Sequence, residues 1–171
     1  MRHQTIPLIC CALFGTAAVM AVPQAQAATS RIIYVTATNA CQPATPLELG
    51  GLRFRPLGIY NNKPDSIYIS CSLDTEFVSD QATSDIRIWF NNSTGATATV
   101  SCTAQGGSRQ AGVNNYPDSV DVPAGITTTL EFVDIDRVST SYTTLNISCL
   151  LPSGIEMGTI RLQQESVLDE L

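Results

Sequence analysis

Three cysteines of this chain close nearly the same tripeptide, Ile69-Ser70-Cys71, Val100-Ser101-Cys102 and Ile147-Ser148-Cys149, and beyond residue 27 only Cys41 joins them. A thiol can serve as nucleophile, metal ligand, redox partner or half of a disulfide, and its spacing and neighbours separate these roles. No Cys-x-x-Cys pair occurs, and the sole histidine is His3. Once the first residues are lost on export, a Ser-His-Asp or Cys-His mechanism has no general base, and an imidazole-bearing zinc or copper site has no ligand. An even number of cysteines in an oxidising compartment is expected to pair. Four cysteines allow three connectivities, and the sequence does not choose among them. The favoured pairing is Cys41 with Cys71 and Cys102 with Cys149. The second bond would join two inward faces in one register, and the first would tie the N-terminal loop to a core strand. On the chain-entropy account the two loops would contribute roughly 3.5 and 4 kcal/mol as upper values.

The other chemistry-bearing residues are sparse. A Ser-Lys dyad would need Lys63, which stands in a turn cluster where solvation makes it a poor base. Asp134 with Asp136, or Asp118 with Asp121, are the carboxylate pairs that could serve glycoside hydrolysis or calcium, and neither sits in an EF-hand or aspartic-protease pattern. No catalytic, cofactor-binding or metal residue is assigned, and the chain is expected not to be an enzyme. Trp89 is the residue that invites a ligand. In Ile86-Arg87-Ile88-Trp89-Phe90 the inward set is Ile86, Ile88 and Phe90, which leaves the indole beside Arg87 on the other face. An indole exposed on a sheet can stack on a sugar ring or anchor a partner, whereas a covering loop would make it ordinary packing. The sequons at Asn91, Asn92 and Asn146 carry weight only in a eukaryotic secretory host.

Export is read from the first residues. Arg2 is followed by an apolar run of 17 residues, Ile6 to Val22, then by Pro23 and the small-residue exit Ala25-Gln26-Ala27. Residues 1–27 are expected to be a cleaved signal peptide and residues 28–171 a single domain, secreted or periplasmic, with no transmembrane segment after cleavage. All 15 acidic residues lie in that domain, with all of the 9 basic ones except Arg2, so it carries about -7. A nucleic-acid partner is excluded on this ground, because phosphate binding needs clustered Lys and Arg. The partner that remains is a cell-surface protein or a glycan.

The elements that must hold these residues alternate with a period of two. Val100, Cys102 and Ala104 share a face with Ala96 and Ala98; Leu145, Ile147, Cys149 and Leu151 form a second such face, and Ile67, Ile69, Cys71 and Leu73 a third. Further strands are expected at 31–37, 53–60, 86–90, 126–133 and 155–164, separated by Gly-, Pro- and Asn-rich clusters. About eight short alternating strands predict an all-β, antiparallel β-sandwich stapled by disulfides, with a closed barrel as the alternative. The polar, Gly-containing stretch from Gln105 to Asp121 reads as a long surface loop. The Ile/Val-Ser-Cys recurrence does not read as a repeat array, because its intervals are 31 and 47 residues.

Cys41-Gln42-Pro43, then Gly58-Ile59-Tyr60-Asn61-Asn62 and Cys71-Ser72-Leu73, followed by a later pair of strand cysteines, resembles a group of small exported proteobacterial proteins. The group has Pro after the second cysteine, where this chain has Ser72. The resemblance implies a bacterial exported β domain and carries over no active site. The leading functional reading is a non-enzymatic exported structural or interaction protein. The alternative is a carbohydrate-binding or adhesin-like module, fimbrial subunits included, and a carboxylate-based hydrolase comes third.

Overall fold

The computed structural model describes residues 28–73, 83–108, 112–136 and 144–167; the expected signal segment lies outside them. In chain order the elements are β1 (Ala28–Thr36), the single helical turn α1 (Ala37–Ala40), β2 (Cys41–Pro43), a 3-10 turn at Pro46–Gly51, β3 (Leu52–Arg55), β4 (Gly58–Asn61), β5 (Ile67–Leu73), β6 (Thr83–Asn92), β7 (Ala98–Ser108), β8 (Gly112–Val122), β9 (Thr127–Asp136), β10 (Thr144–Leu151) and β11 (Ile155–Val167). One sheet runs β3-β4-β11-β6-β9, with β1 also paired to β11; the other runs β2-β5-β10-β7-β8. Every strand pair is antiparallel. The all-β, disulfide-stapled antiparallel sandwich is the fold.

Alternation builds it. Along β5 the side chains of Ile67, Ile69, Cys71 and Leu73 are buried while Tyr68 and Ser72 are exposed. Ile86, Ile88 and Phe90 of β6 and Leu145, Ile147, Cys149 and Leu151 of β10 belong to the same core, which the two sheets share. Burying such side chains contributes about 1.5–3 kcal/mol each, and no comparable gain is available to a register slipped by one residue.

The disulfides join Cys41 to Cys71 and Cys102 to Cys149, with Cα separations of 3.9 and 4.0 Å. Each bond links residues directly opposite one another on neighbouring strands of the five-stranded sheet. They staple strand to strand within one layer, β2 to β5 and β7 to β10.

Two expectations need correction. Residues 53–60 are a hairpin, β3 and β4, turning at Pro56-Leu57, because Pro56 has no N–H to continue a ladder. The stretch Gln105 to Asp121 is not a loop: it contains the end of β7 and most of β8. From Gly112 to Asp121 no residue of β8 is fully buried, so a strand at the rim of the sandwich carries none of the alternation that marks a half-buried one. These strands, with the short β2, bring the described strands to eleven rather than about eight.

The 31-residue interval between Cys71 and Cys102 has a structural meaning. Asn61 stands ten residues before Cys71, and Asn92 ten residues before Cys102. Both asparagines are fully buried where the chain leaves the six-stranded sheet for the five-stranded one. Asn61 Nδ2 donates to Asp65 O (2.8 Å) and Leu151 O (2.9 Å); Asn92 Nδ2 donates to Ala96 O (2.8 Å) and Val122 O (2.7 Å). The return crossings match as well. In Pro152-Ser153-Gly154 and Pro123-Ala124-Gly125 the glycines have φ of 72° and 70°, the conformation of the third residue of a type II turn. Gly154 N–H donates to Asn61 O (3.0 Å), and Gly125 N–H to Asn92 O (2.9 Å). The sandwich thus uses one corner design twice.

Candidate functional site

The outer face of the six-stranded sheet carries Trp89. Its position follows from β6, where Ile88 and Phe90 turn inward and force the indole out. Across the strand pair β11 bulges: Met157 pairs with Phe90 and Ile160 with Ile88, so Gly158 and Thr159 together oppose Trp89. On the other side Thr129 of β9 is its partner. The indole is half-buried, less open than strand alternation alone implied. Leu57, 70% exposed at the tip of the β3–β4 turn, lies on its flank.

That turn is held from a distance. Thr38 of α1 places its hydroxyl 2.5 Å from Arg55 O and 3.0 Å from Gly58 O, so one proton is shared between the two ends of the turn. Arg55 reaches across to Glu156 at 2.6 Å, and its guanidinium lies 4.6 Å from the centre of the Tyr60 ring. An exposed ion pair adds little stability; its effect is to fix the Glu156 carboxylate. Leu57, Trp89, Asn91, Thr127, Glu156 and Thr159 then line a shallow depression of about 190 Å³. It offers an aromatic plane, an aliphatic flank, an amide, a carboxylate and hydroxyls. These groups can stack on and hydrogen-bond a polyhydroxylated ring.

A second concavity, about 610 Å³, crosses the outer face of the five-stranded sheet. Ser101, Thr103, Ser119 and Ser148 give it a hydroxyl floor, with Tyr68, Leu150 and Pro117 as apolar borders. The Cys102–Cys149 bond lies directly beneath, tying the two central strands of that floor.

The remaining candidates do not converge. Asp118 and Asp121 lie three residues apart on β8, hence on opposite faces; Asp118 Oδ1 accepts the Ser119 N–H (2.7 Å) and Asp121 Oδ1 the Thr99 hydroxyl (2.6 Å). Asp134, at φ 51°, donates its N–H to Asp85 Oδ1 (3.0 Å), while the side chain of Asp136 lies outside the described residues. Lys63 uses its backbone N–H to cap Asn61 Oδ1 (2.9 Å). Among the described residues no group of three His, Cys, Asp or Glu could hold a metal ion. Asn92, read as a sequon, spends its amide inside the corner. Sequence reasoning named Trp89 and missed Leu57, Glu156, Thr159 and the hydroxyl floor. The polar Glu156 between buried Ile155 and Met157 was the available signal for the face of β11.

No protein-family model matches the chain, and no curated relative does. Among solved structures it is similar to the C-terminal CBM6 of LamC, a laminarinase of Zobellia galactanivorans, at 12% identity over 77% of this chain and 98% of that one, with a TM-score of 0.48. A carbohydrate-binding module of Cellvibrio mixtus lichenase 5A, solved with cellotriose, matches at 13% identity over 76% and 95%, TM-score 0.43. The chain also spans 27% of a Podospora anserina GH26-CBM35 β-(1,4)-mannanase, with 77% of its own length aligned at 12% identity and a TM-score of 0.47. At these scores the likeness transfers neither residues nor ligands.

Proposed function

We propose that this chain is an exported, non-catalytic carbohydrate-binding module of a bacterial surface, periplasm or medium, and that its glycan sits on the outer face of the six-stranded sheet. One observation carries the reading. The indole of Trp89 stands half-buried on that face, in a depression whose other walls are aliphatic, amide, carboxylate and hydroxyl groups. A sugar presents an apolar C–H face and an equatorial ring of hydroxyls, and this combination complements both. The carboxylates at hand are fixed in an ion pair or dispersed over the two sheets, which favours binding over hydrolysis.

The chain has a single tryptophan, so its fluorescence reports on this site alone. Glycan-array screening followed by titration should find a ligand that shifts or quenches that emission. Trp89→Ala should weaken binding at least tenfold and Trp89→Phe much less, since a planar ring is retained. If arrayed glycans bind without changing the emission, and Tyr68→Ala removes that binding, the seat is the hydroxyl-floored groove of the other sheet. An empty array would overturn the carbohydrate reading altogether.

A further inference from the structure

Charge is distributed unevenly over the sandwich. All five arginines among the described residues, Arg31, Arg53, Arg55, Arg87 and Arg161, belong to strands of the six-stranded sheet, and the strands of the other sheet contain no Lys or Arg there. Four of them, all but Arg31, project from the outer face that carries Trp89, in a protein whose formal charge is -6. Their partners differ. Arg55 is paired with Glu156, and Arg87 with Glu131 of β9. Arg161 has no carboxylate partner among the described residues; the contact of its guanidinium there is Nη2 donating to Gln163 Oε1.

Among the described arginines of this face without a carboxylate partner, Arg161 is also the nearest to the indole in register; its guanidinium hydrogen-bonds Gln163, on the side away from Trp89, and must swing back to meet a ligand there. Ile160 pairs with Ile88 and Arg161 with Arg87, so Arg161 and Trp89 are diagonal neighbours on adjacent strands. Such neighbours lie about 7–8 Å apart, within reach of a long side chain. A pyranose ring stacked on the indole would bring an exocyclic substituent towards the guanidinium. The planar fork matches a carboxylate in a bidentate geometry that a hydroxymethyl group cannot offer. Arg87, directly opposite, is committed to Glu131, so among the described residues one guanidinium is left there for the ligand, which suits one planar monoanion per sugar better than a dense polyanion.

We propose that the glycan recognised on this face is a uronate polysaccharide, with a sugar ring on Trp89 and its carboxylate on Arg161. This rests on the carbohydrate reading and adds the ligand class to it. The test is fluorescence titration of the exported protein with oligogalacturonate and oligoglucuronate against neutral galactan and cellulose oligomers of the same length, at low and at physiological salt. Acidic oligomers should bind at least tenfold tighter than neutral ones at low salt, and the margin should shrink as salt screens the ion pair. Arg161→Gln should remove most of that margin while neutral binding and the melting temperature stay put, and Arg161→Lys should recover only part of it. Arg53→Gln, three strands from β6 at the sheet edge, should change affinity less than threefold. Neutral oligomers binding as well as acidic ones, with Arg161→Gln silent, would overturn the uronate assignment and leave the carbohydrate reading standing. Dextran sulfate binding tighter than any uronate, and losing affinity equally with Arg53→Gln and Arg161→Gln, would show diffuse polyanion attraction and overturn it as well. If no oligomer binds, the uronate assignment falls, and the carbohydrate reading falls with it only if the glycan array is empty too.

Discussion

A primary amide sealed from water must place two donors and an acceptor, and Asn92 does so completely. Its Nδ2 serves two carbonyls, and its Oδ1 accepts from Thr94 N–H (2.8 Å) and from the Thr94 hydroxyl (2.7 Å). Asn61 makes three of the same four contacts. Removing either side chain takes a buried donor from two carbonyls at a point where the chain changes sheets, although Ala96 O keeps the Thr94 hydroxyl (2.9 Å). Asn61→Ala and Asn92→Ala are each expected to cost about 2–4 kcal/mol, measured by urea unfolding. Asn92→Asp is the sharper probe, since it keeps shape and turns a donor into an acceptor facing Ala96 O and Val122 O; it should cost at least as much as the alanine. Trp89 behaves differently. The indole is only partly buried and lies outside the shared core, so Trp89→Ala should cost only about 1–2 kcal/mol while weakening glycan binding at least tenfold, which separates the proposed binding role from packing. A loss as large as that of Asn92→Ala would make Trp89 a core residue and remove the basis of the proposed site.

At the level of elements, what can be read in advance follows from where water stops. β5, β7 and β10 declare themselves because one face of each is dry, so Ile67-Tyr68-Ile69-Ser70-Cys71 cannot be written without alternation. β8 is wet on both faces along most of its length, and Val113-Asn114-Asn115-Tyr116-Pro117 carries no period to read. The face proposed to bind was legible only at Trp89. Its other walls are brought to the indole by register, by the β11 bulge and by the turn that Thr38 clamps, none of which leaves a local pattern. One glycine marks this dependence on register. A Cβ on Gly58 would stand 2.6 Å from Met157 O, where β4 meets β11. Gly58→Ala should therefore push β4 and its hairpin away from β11, lowering stability by about 1–3 kcal/mol. It should also weaken ligand binding, because Leu57 and Glu156 move with the shifted pair. Calorimetry and fluorescence titration of the same variant would read both effects; unchanged affinity would mean that the hairpin contributes nothing to the site.

For the molecule as a whole, the two sheets have one core between them, and both disulfides lie in the same sheet with their sulfurs turned towards that core. Cys41, Cys71, Cys102 and Cys149 are between 0% and 6% exposed, so a reductant has no access while the sandwich is closed. Reduction must then wait for opening, and its rate in native buffer should level off as thiol concentration rises, at the rate of unfolding. Once open, the loss is large. Each bond contributes about 2–4 kcal/mol by constraining the unfolded chain, against a total of about 5–15 kcal/mol for an ordinary domain. The reduced protein is expected to be marginal at 37 °C, with a single cooperative transition shifted far down in temperature, because unzipping β7 from β10 also withdraws the core from the six-stranded sheet. Scanning calorimetry of oxidised and alkylated reduced protein measures the shift, and mass spectrometry of trapped thiols against time measures the rate. A reduction rate that rises in proportion to thiol concentration would show that the bonds are reached without unfolding, and a six-stranded sheet that melts separately from the other would show that the core is not shared.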